Sequence, residues 1–110
     1  MDLEQDASHP GMVRLSGTLI CASQEECEIV RAHLPEHVSL TRAEPGCLFF
    51  AVIPIDAMTW RVEERFTDSL AFAAHQARTK ASAWGTKTAA IRRDYAIIAA
   101  DRSSGPAGRD

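Results

Sequence analysis

The chain contains no asparagine and a single tyrosine, and its three cysteines, Cys21, Cys27 and Cys47, form no CxxC pair. An odd, scattered set of thiols is neither a disulfide framework nor a zinc ribbon, and it fits a reduced, cytoplasmic setting. No apolar run reaches the length of a secretory leader or of a bilayer span. There is no glycine-rich phosphate loop and no dinucleotide fingerprint. The net charge is -3, so nothing electrostatic draws the chain to nucleic acid or to an anionic membrane. What remains is a 110-residue chain, 45% hydrophobic and 25% charged, with the composition of one soluble domain. A chain this short buries a modest core, and association often supplements it.

The charge is unevenly spread. Residues 1–60 carry three basic and nine acidic side chains, and residues 61–110 carry nine basic and six acidic. Two readings stand: ordinary surface charge, or a second half suited to an anionic or phenolate ligand.

Residues 1–12 are polar and include His9-Pro10-Gly11, and the segment from Asp101 is rich in Ser, Gly, Pro and charge. Both read as flexible termini, leaving one domain over residues 13–99. Val13 to Ala22 alternates as a strand, with Val13, Leu15, Gly17, Leu19 and Cys21 on one face. Ser23 followed by Glu26 is a capping-box pattern that starts a helix at Gln24. Cys27, Val30 and Leu34 mark its apolar stripe, and Val38 continues it. Pro35 is expected to divide this helix into two pieces ending near Ala43. Pro45-Gly46 turns the chain. Cys47–Ile55 and Thr59–Phe66 are expected to be strands joined by a short turn over Pro54–Met58. Thr67 is expected to cap a second helix that starts near Asp68 and carries Leu70, Phe72, Ala73 and Ala77, and Gly85, a poor helix former, is expected to make residues 80–91 a separate helical piece. Arg93–Ala99 reads as the last strand.

The order β-α-β-β-α-β is the split βαβ arrangement of ferredoxin-like folds, an α+β class with a four-stranded antiparallel sheet and its helices on one face. Two helices cover one face of such a sheet. The second strand is nevertheless apolar on both sides, with Leu48, Phe50 and Val52 on one and Phe49, Ala51 and Ile53 on the other. The uncovered side predicts a homodimer packed sheet to sheet.

Among groups able to carry chemistry, His33-Leu34-Pro35-Glu36-His37 spells H-x-x-E-H, an inverted zinc-protease motif. That motif needs a continuous helix, which Pro35 opposes, and no third ligand is evident. The two histidines read as surface residues beside a helix break, and no metal is expected. Glu64 falls on the apolar face of its strand with Trp60, Val62 and Phe66, where a carboxylate is costly to bury without a partner. His75 or Arg78, or a backbone donor, is the expected partner. Ala71, His75, Arg78 and Ser82 share a helical face that would border a cleft over the sheet. Trp60, Phe66, Phe72 and Trp84 are either core or an aromatic wall for a planar ligand.

Glu44-Pro45-Gly46-Cys47, Glu64 with Phe66, and Ala74-His75, taken in this order and spacing, resemble the antibiotic-biosynthesis monooxygenase family of quinol-monooxygenase-like proteins. The resemblance covers roughly residues 13–98. It implies a dimeric α+β barrel and cofactor-independent oxidation of a hydroxylated aromatic by O₂. His75 and Glu64 would be catalytic, and Phe66, Phe72, Arg78, Ser82, Trp84 and Trp60 would bind substrate. Haem-degrading relatives carry a first-strand asparagine, which this chain lacks, so no haem or other cofactor is expected. The alternative is a non-catalytic dimer that binds a small ligand or is purely structural. A substrate-sized cavity where Glu64 and His75 converge would favour the enzyme, and filling of that region by Trp84 and Phe72 would favour the alternative.

Overall fold

The computed structural model describes residues 11–99 and 102–103. The flexibility expected of residues 1–10, and of most of the tail, lies outside them. Met12, assigned from sequence to the arm, is buried next to Val13. The elements run β1 (Val13–Ile20), α1 (Gln24–Arg42), β2 (Cys47–Asp56), β3 (Thr59–Phe66), α2 (Ser69–Ala81), α3 (Ala83–Lys87), β4 (Arg92–Ala99) and the two-residue β5 (Arg102–Ser103). The sheet is antiparallel in the order β2-β3-β1-β4-β5. This is the ferredoxin-like βαββαβ fold, with Arg102 and Ser103 adding a short pairing to Ala99 and Ile98 where the composition predicts disorder.

One face of the sheet makes the core. Val13, Leu15 and Leu19 of β1, Trp60 and Val62 of β3, and Tyr95 and Ile97 of β4 pack against Cys27 and Val30 of α1 and Trp84 of α3. The period-two alternation of each strand and the helical spacing of Cys27 and Val30 set this arrangement. The start of α1 is fixed locally. Ser23 Oγ accepts from the backbone N–H of Glu26 at 3.2 Å, and Glu26 Oε1 accepts from the backbone N–H of Ala22 at 2.7 Å.

Four local expectations change. Helix α1 runs unbroken from Gln24 to Arg42 with Pro35 inside it. Pro35 and Arg31 are exposed, so water can serve the carbonyl that the missing N–H leaves open, while the buried face on the opposite side holds the helix together. Pro54 lies within β2, not in the turn, which is reduced to Ala57-Met58. An edge strand tolerates a residue that cannot donate. Asp68, not Thr67, caps α2, accepting from the Ala71 N–H at 2.8 Å. Finally, Leu70 is 82% exposed, and Ala73 and Ala77 also face outward. Helix α2 buries His75 and Thr79 instead, because the polar partners of that side lie beneath it.

Strand β2 has a register shift between Cys47 and Phe49. Phe50 therefore turns inward and is buried, whereas Leu48, predicted to share its face, is 40% exposed. The shift is a β-bulge, which resets the alternation of the strand that follows.

Candidate functional site

Glu64 is fully buried. On β3 it stands opposite Leu15 of β1 and Phe50 of β2, so its cross-strand neighbours are apolar. Burial of a carboxylate in such a place requires a polar partner from another layer. The imidazole of His75 supplies it. His75 Nε2 lies 3.7 Å from Glu64 Oε1, an ion-pair separation and not a hydrogen bond, with Thr79 Oγ1 at 3.4 Å from the same nitrogen.

The other ring nitrogen has a second carboxylate. His75 Nδ1 lies 2.9 Å from Glu44 Oε1, and Arg78 Nε donates a very short hydrogen bond to Glu44 Oε2. Arg78 Nη2 donates to the buried Thr41 at 3.0 Å. The imidazole is thus bracketed by two carboxylates, Glu64 behind it on the sheet and Glu44 in front.

The placement of Glu44 follows from its turn. Arg42 Nε and Nη2 both donate to the backbone carbonyl of Phe50, at 3.1 and 2.8 Å, and clamp the end of α1 to β2. The N–H of Thr67 donates to the Gly46 carbonyl at 2.9 Å and ties the turn to the start of α2. Gly46 rests directly on α2: a Cβ there would lie 2.3 Å from the Ala71 Cβ. Only glycine permits that approach, and Ala71 is one helical turn before His75. Glu44 is thereby brought over the imidazole.

Rings surround the buried side of His75. Phe66 lies 4.7 Å away between centroids, and Phe50 and His37 each lie at 6.0 Å. His37 stacks on Trp84 at 4.8 Å with an interplanar angle of 3°, and Phe50 meets His37 edge-on at 5.2 Å. Phe50, the cross-strand neighbour of Glu64, and Phe66 thus pack against the imidazole that Glu64 meets. A cleft of about 450 Å³ opens on the Glu44 side, lined by Pro45, Gly46, Leu70, Ala71 and Ala74 with Glu44, His75 and Arg78 at its polar end. The side chain of His75 has no exposure, while Glu44 and Arg78 retain 17% and 30%.

The structure therefore brings His75, Glu64, Phe66 and Arg78 together. Phe72 packs on Phe66 at 5.7 Å and is half-buried. Trp84 reaches the group through His37. Ser82 caps α3, accepting from the Gly85 N–H at 3.2 Å and donating to the Thr79 carbonyl at 2.7 Å. Trp60 sits in the core four residues from Glu64, about 13 Å along β3.

Three participants were not read from the sequence as site residues: Glu44, Thr41 and His37. The last is a correction. His37 is 2% exposed and is not a surface histidine. Continuing the Cys27, Val30, Leu34 spacing by three and then four residues reaches His37 and Thr41, and that signal was available. The unbroken helix also gives H-x-x-E-H the continuity it was expected to lack. Among the described residues, however, no group of three His, Cys, Asp or Glu side chains is placed to hold a metal ion. All three cysteines are free thiols, and among the described residues no helix is long and apolar enough to cross a membrane.

A family model for antibiotic biosynthesis monooxygenases matches residues 18–87. The chain belongs to that family. No curated protein matches it in sequence. Among solved structures, SnoaB, a cofactor-independent oxygenase from Streptomyces nogalater, is similar with a TM-score of 0.66 at 11% identity, over 80% of this chain and 91% of that one. A Nitrosomonas europaea protein of unknown function gives 0.67 at 19% identity, over 91% and 99%. MupZ from Pseudomonas fluorescens gives 0.66 at 14%, over 83% and 69%. At these identities the likeness is one of fold.

Proposed function

We propose that this chain is a cofactor-independent monooxygenase that oxidises a small phenol or quinol with O₂, with His75 as the base and Glu64 behind it. The observation that carries this reading is the buried imidazole at the polar end of an apolar cleft, with a carboxylate at each ring nitrogen. Membership of the family supports it, as does the shared fold with a cofactor-independent oxygenase.

In the proposed reaction Nδ1 takes the phenolic proton while Nε2–H faces Glu64, which offsets the charge that forms on the ring. The substrate anion, carbanion-like at a ring carbon, gives one electron to O₂. The radical pair joins in a C–O bond, and the peroxide loses the hydrogen of that carbon as its O–O bond breaks. A carbonyl remains, and the departing oxygen leaves as water with the proton held by His75. The sum is ArH(OH) + O₂ → quinone + H₂O, with all four electrons accepted by O₂ supplied by the substrate. Arg78 would hold the substrate oxygen, and Phe66 with Phe72 would back the imidazole.

An oxygen electrode with a panel of naphthols, hydroquinones and anthrones tests this. His75→Ala should lower turnover by about 10²–10⁴-fold on whichever compound is oxidised, with an unchanged circular dichroism spectrum. Wild-type turnover in that variant would refute the assignment. The full burial of both His75 and Glu64 favours a second reading, a non-catalytic ligand-binding member of the family. Under it, none of the panel would consume oxygen.

A further inference from the structure

The base of the proposed reaction is covered in the structure, and the group that covers it shows what should replace it. His75 has no exposed side-chain surface. The polar atoms nearest the cleft belong to Glu44 and Arg78. Both oxygens of the Glu44 carboxylate are used: Oε1 faces His75 Nδ1 at 2.9 Å, and Oε2 accepts from Arg78 Nε. A carboxylate only accepts, so Nδ1 is the donor in this arrangement and is not free to act as a base. Catalysis at Nδ1 requires Glu44 to leave.

Arg78 provides the second observation. Nε and Nη2 are engaged by Glu44 and Thr41, whereas Nη1 is buried and donates to no group among the described residues. A buried guanidinium N–H without an acceptor is costly, so Arg78 is already short of one acceptor before Glu44 leaves and tolerates the loss of a second poorly. The polar end of the cleft therefore presents two donors, His75 Nδ1 and Arg78 Nε, spaced for two oxygens about as far apart as those of one carboxylate.

We infer that Glu44 occupies the place of the substrate's oxygens, and that the site takes aromatics bearing a hydroxyl beside a second acceptor oxygen, a carboxylate or a ring carbonyl in ortho or peri position. The phenolic oxygen replaces Oε1 at His75, and the neighbouring oxygen replaces Oε2 at Arg78. Glu44 swings out on its turn, and the imidazole changes tautomer, its proton passing to the Nε2 side facing Glu64. A naphthol with a single oxygen would leave Arg78 Nε without an acceptor, with Thr41 its remaining partner, and would displace Glu44 poorly. This rests on the proposed site but not on turnover.

The probes are 1-hydroxy-2-naphthoate and 1-naphthol, titrated calorimetrically against the intact chain. The wild type should prefer the two-oxygen probe by about ten- to a hundredfold. Glu44→Gln, which removes the competing charge, should tighten hydroxynaphthoate by about tenfold or more and naphthol by less. Arg78→Met should abolish the preference. A wild type that binds both probes equally, or neither, overturns the inference even where the variants fail to fold. So does a folded Glu44→Gln that binds hydroxynaphthoate no better than the wild type. Binding as described without oxygen uptake would refute catalysis alone. Equal turnover of both probes with His75 essential would refute the displacement alone.

Discussion

Burial raises the Cys21 thiol to about 12, reinforced by the Cys27 thiol alongside it. Burial likewise pushes the Cys47 thiol upward. Neither is a nucleophile near neutral pH, and Cys21 carries a consequence for stability. In the unfolded chain its thiol ionises near 9.0, while in the folded chain it stays protonated until about 12. Between those values the native state binds the extra proton, so the stability from protonated burial is complete below about pH 9 and is lost as pH rises toward 12. Urea midpoints should therefore fall between pH 8 and pH 11, and Cys21→Ser should flatten that fall. The same residue-by-residue view shows what the sequence could disclose about the site. Glu64 was legible because strand alternation alone places it among Trp60, Val62 and Phe66. Glu44 was not, since its role depends on a turn resting against a helix 31 residues further on.

At the scale of elements, α1 departs furthest from expectation. Propensity and backbone chemistry both count against Pro35, and the helix nevertheless continues. Tertiary packing of Cys27, Val30, His37 and Thr41 outweighs one lost hydrogen bond on the exposed side. If the helix is bearing that cost, Pro35→Ala should stabilise the protein by about 1–3 kcal/mol, the helical gain being reduced by the greater freedom of the unfolded chain. Chemical denaturation measures it, and a destabilised variant would show that Pro35 is favoured where it stands. The strands and their order were readable from alternation, and the Ser23 start of α1 from its cap. The buried stripe of α2 was not, because it consists of His75 and Thr79, which resemble a core only once Glu44 and Glu64 are placed against them.

For the molecule as a whole, the sheet face away from the helices remains the feature to resolve. Phe49, Ile53, Ile55 and Ile98 are each between 44% and 57% exposed. The middle of that face is polar, with Arg14 at 3.5 Å from Glu63, Arg61 donating to Ser16 at 3.3 Å, and the Arg65 guanidinium over the Phe49 ring at 5.2 Å. We expect a homodimer through this face, its apolar edges covering one another around the charged centre. Light scattering at micromolar concentration should report about twice the 12.0 kDa chain mass, and Ile53→Glu should return it to a monomer with the same secondary structure. A monomeric wild type would remove the basis for a barrel.

The bulge at the start of β2 has a consequence for how such a sequence can drift. Phe49 belongs to the outer face and Phe50 to the ring of side chains around His75. Because alternation has a period of two, one residue gained or lost between Gly46 and Phe50 would exchange them. It would send a surface phenyl against the imidazole and expose the one that belongs there. Loops elsewhere in the chain can lengthen at little cost. This short stretch admits substitution but not a change of length, and an alignment of true relatives should show it free of gaps.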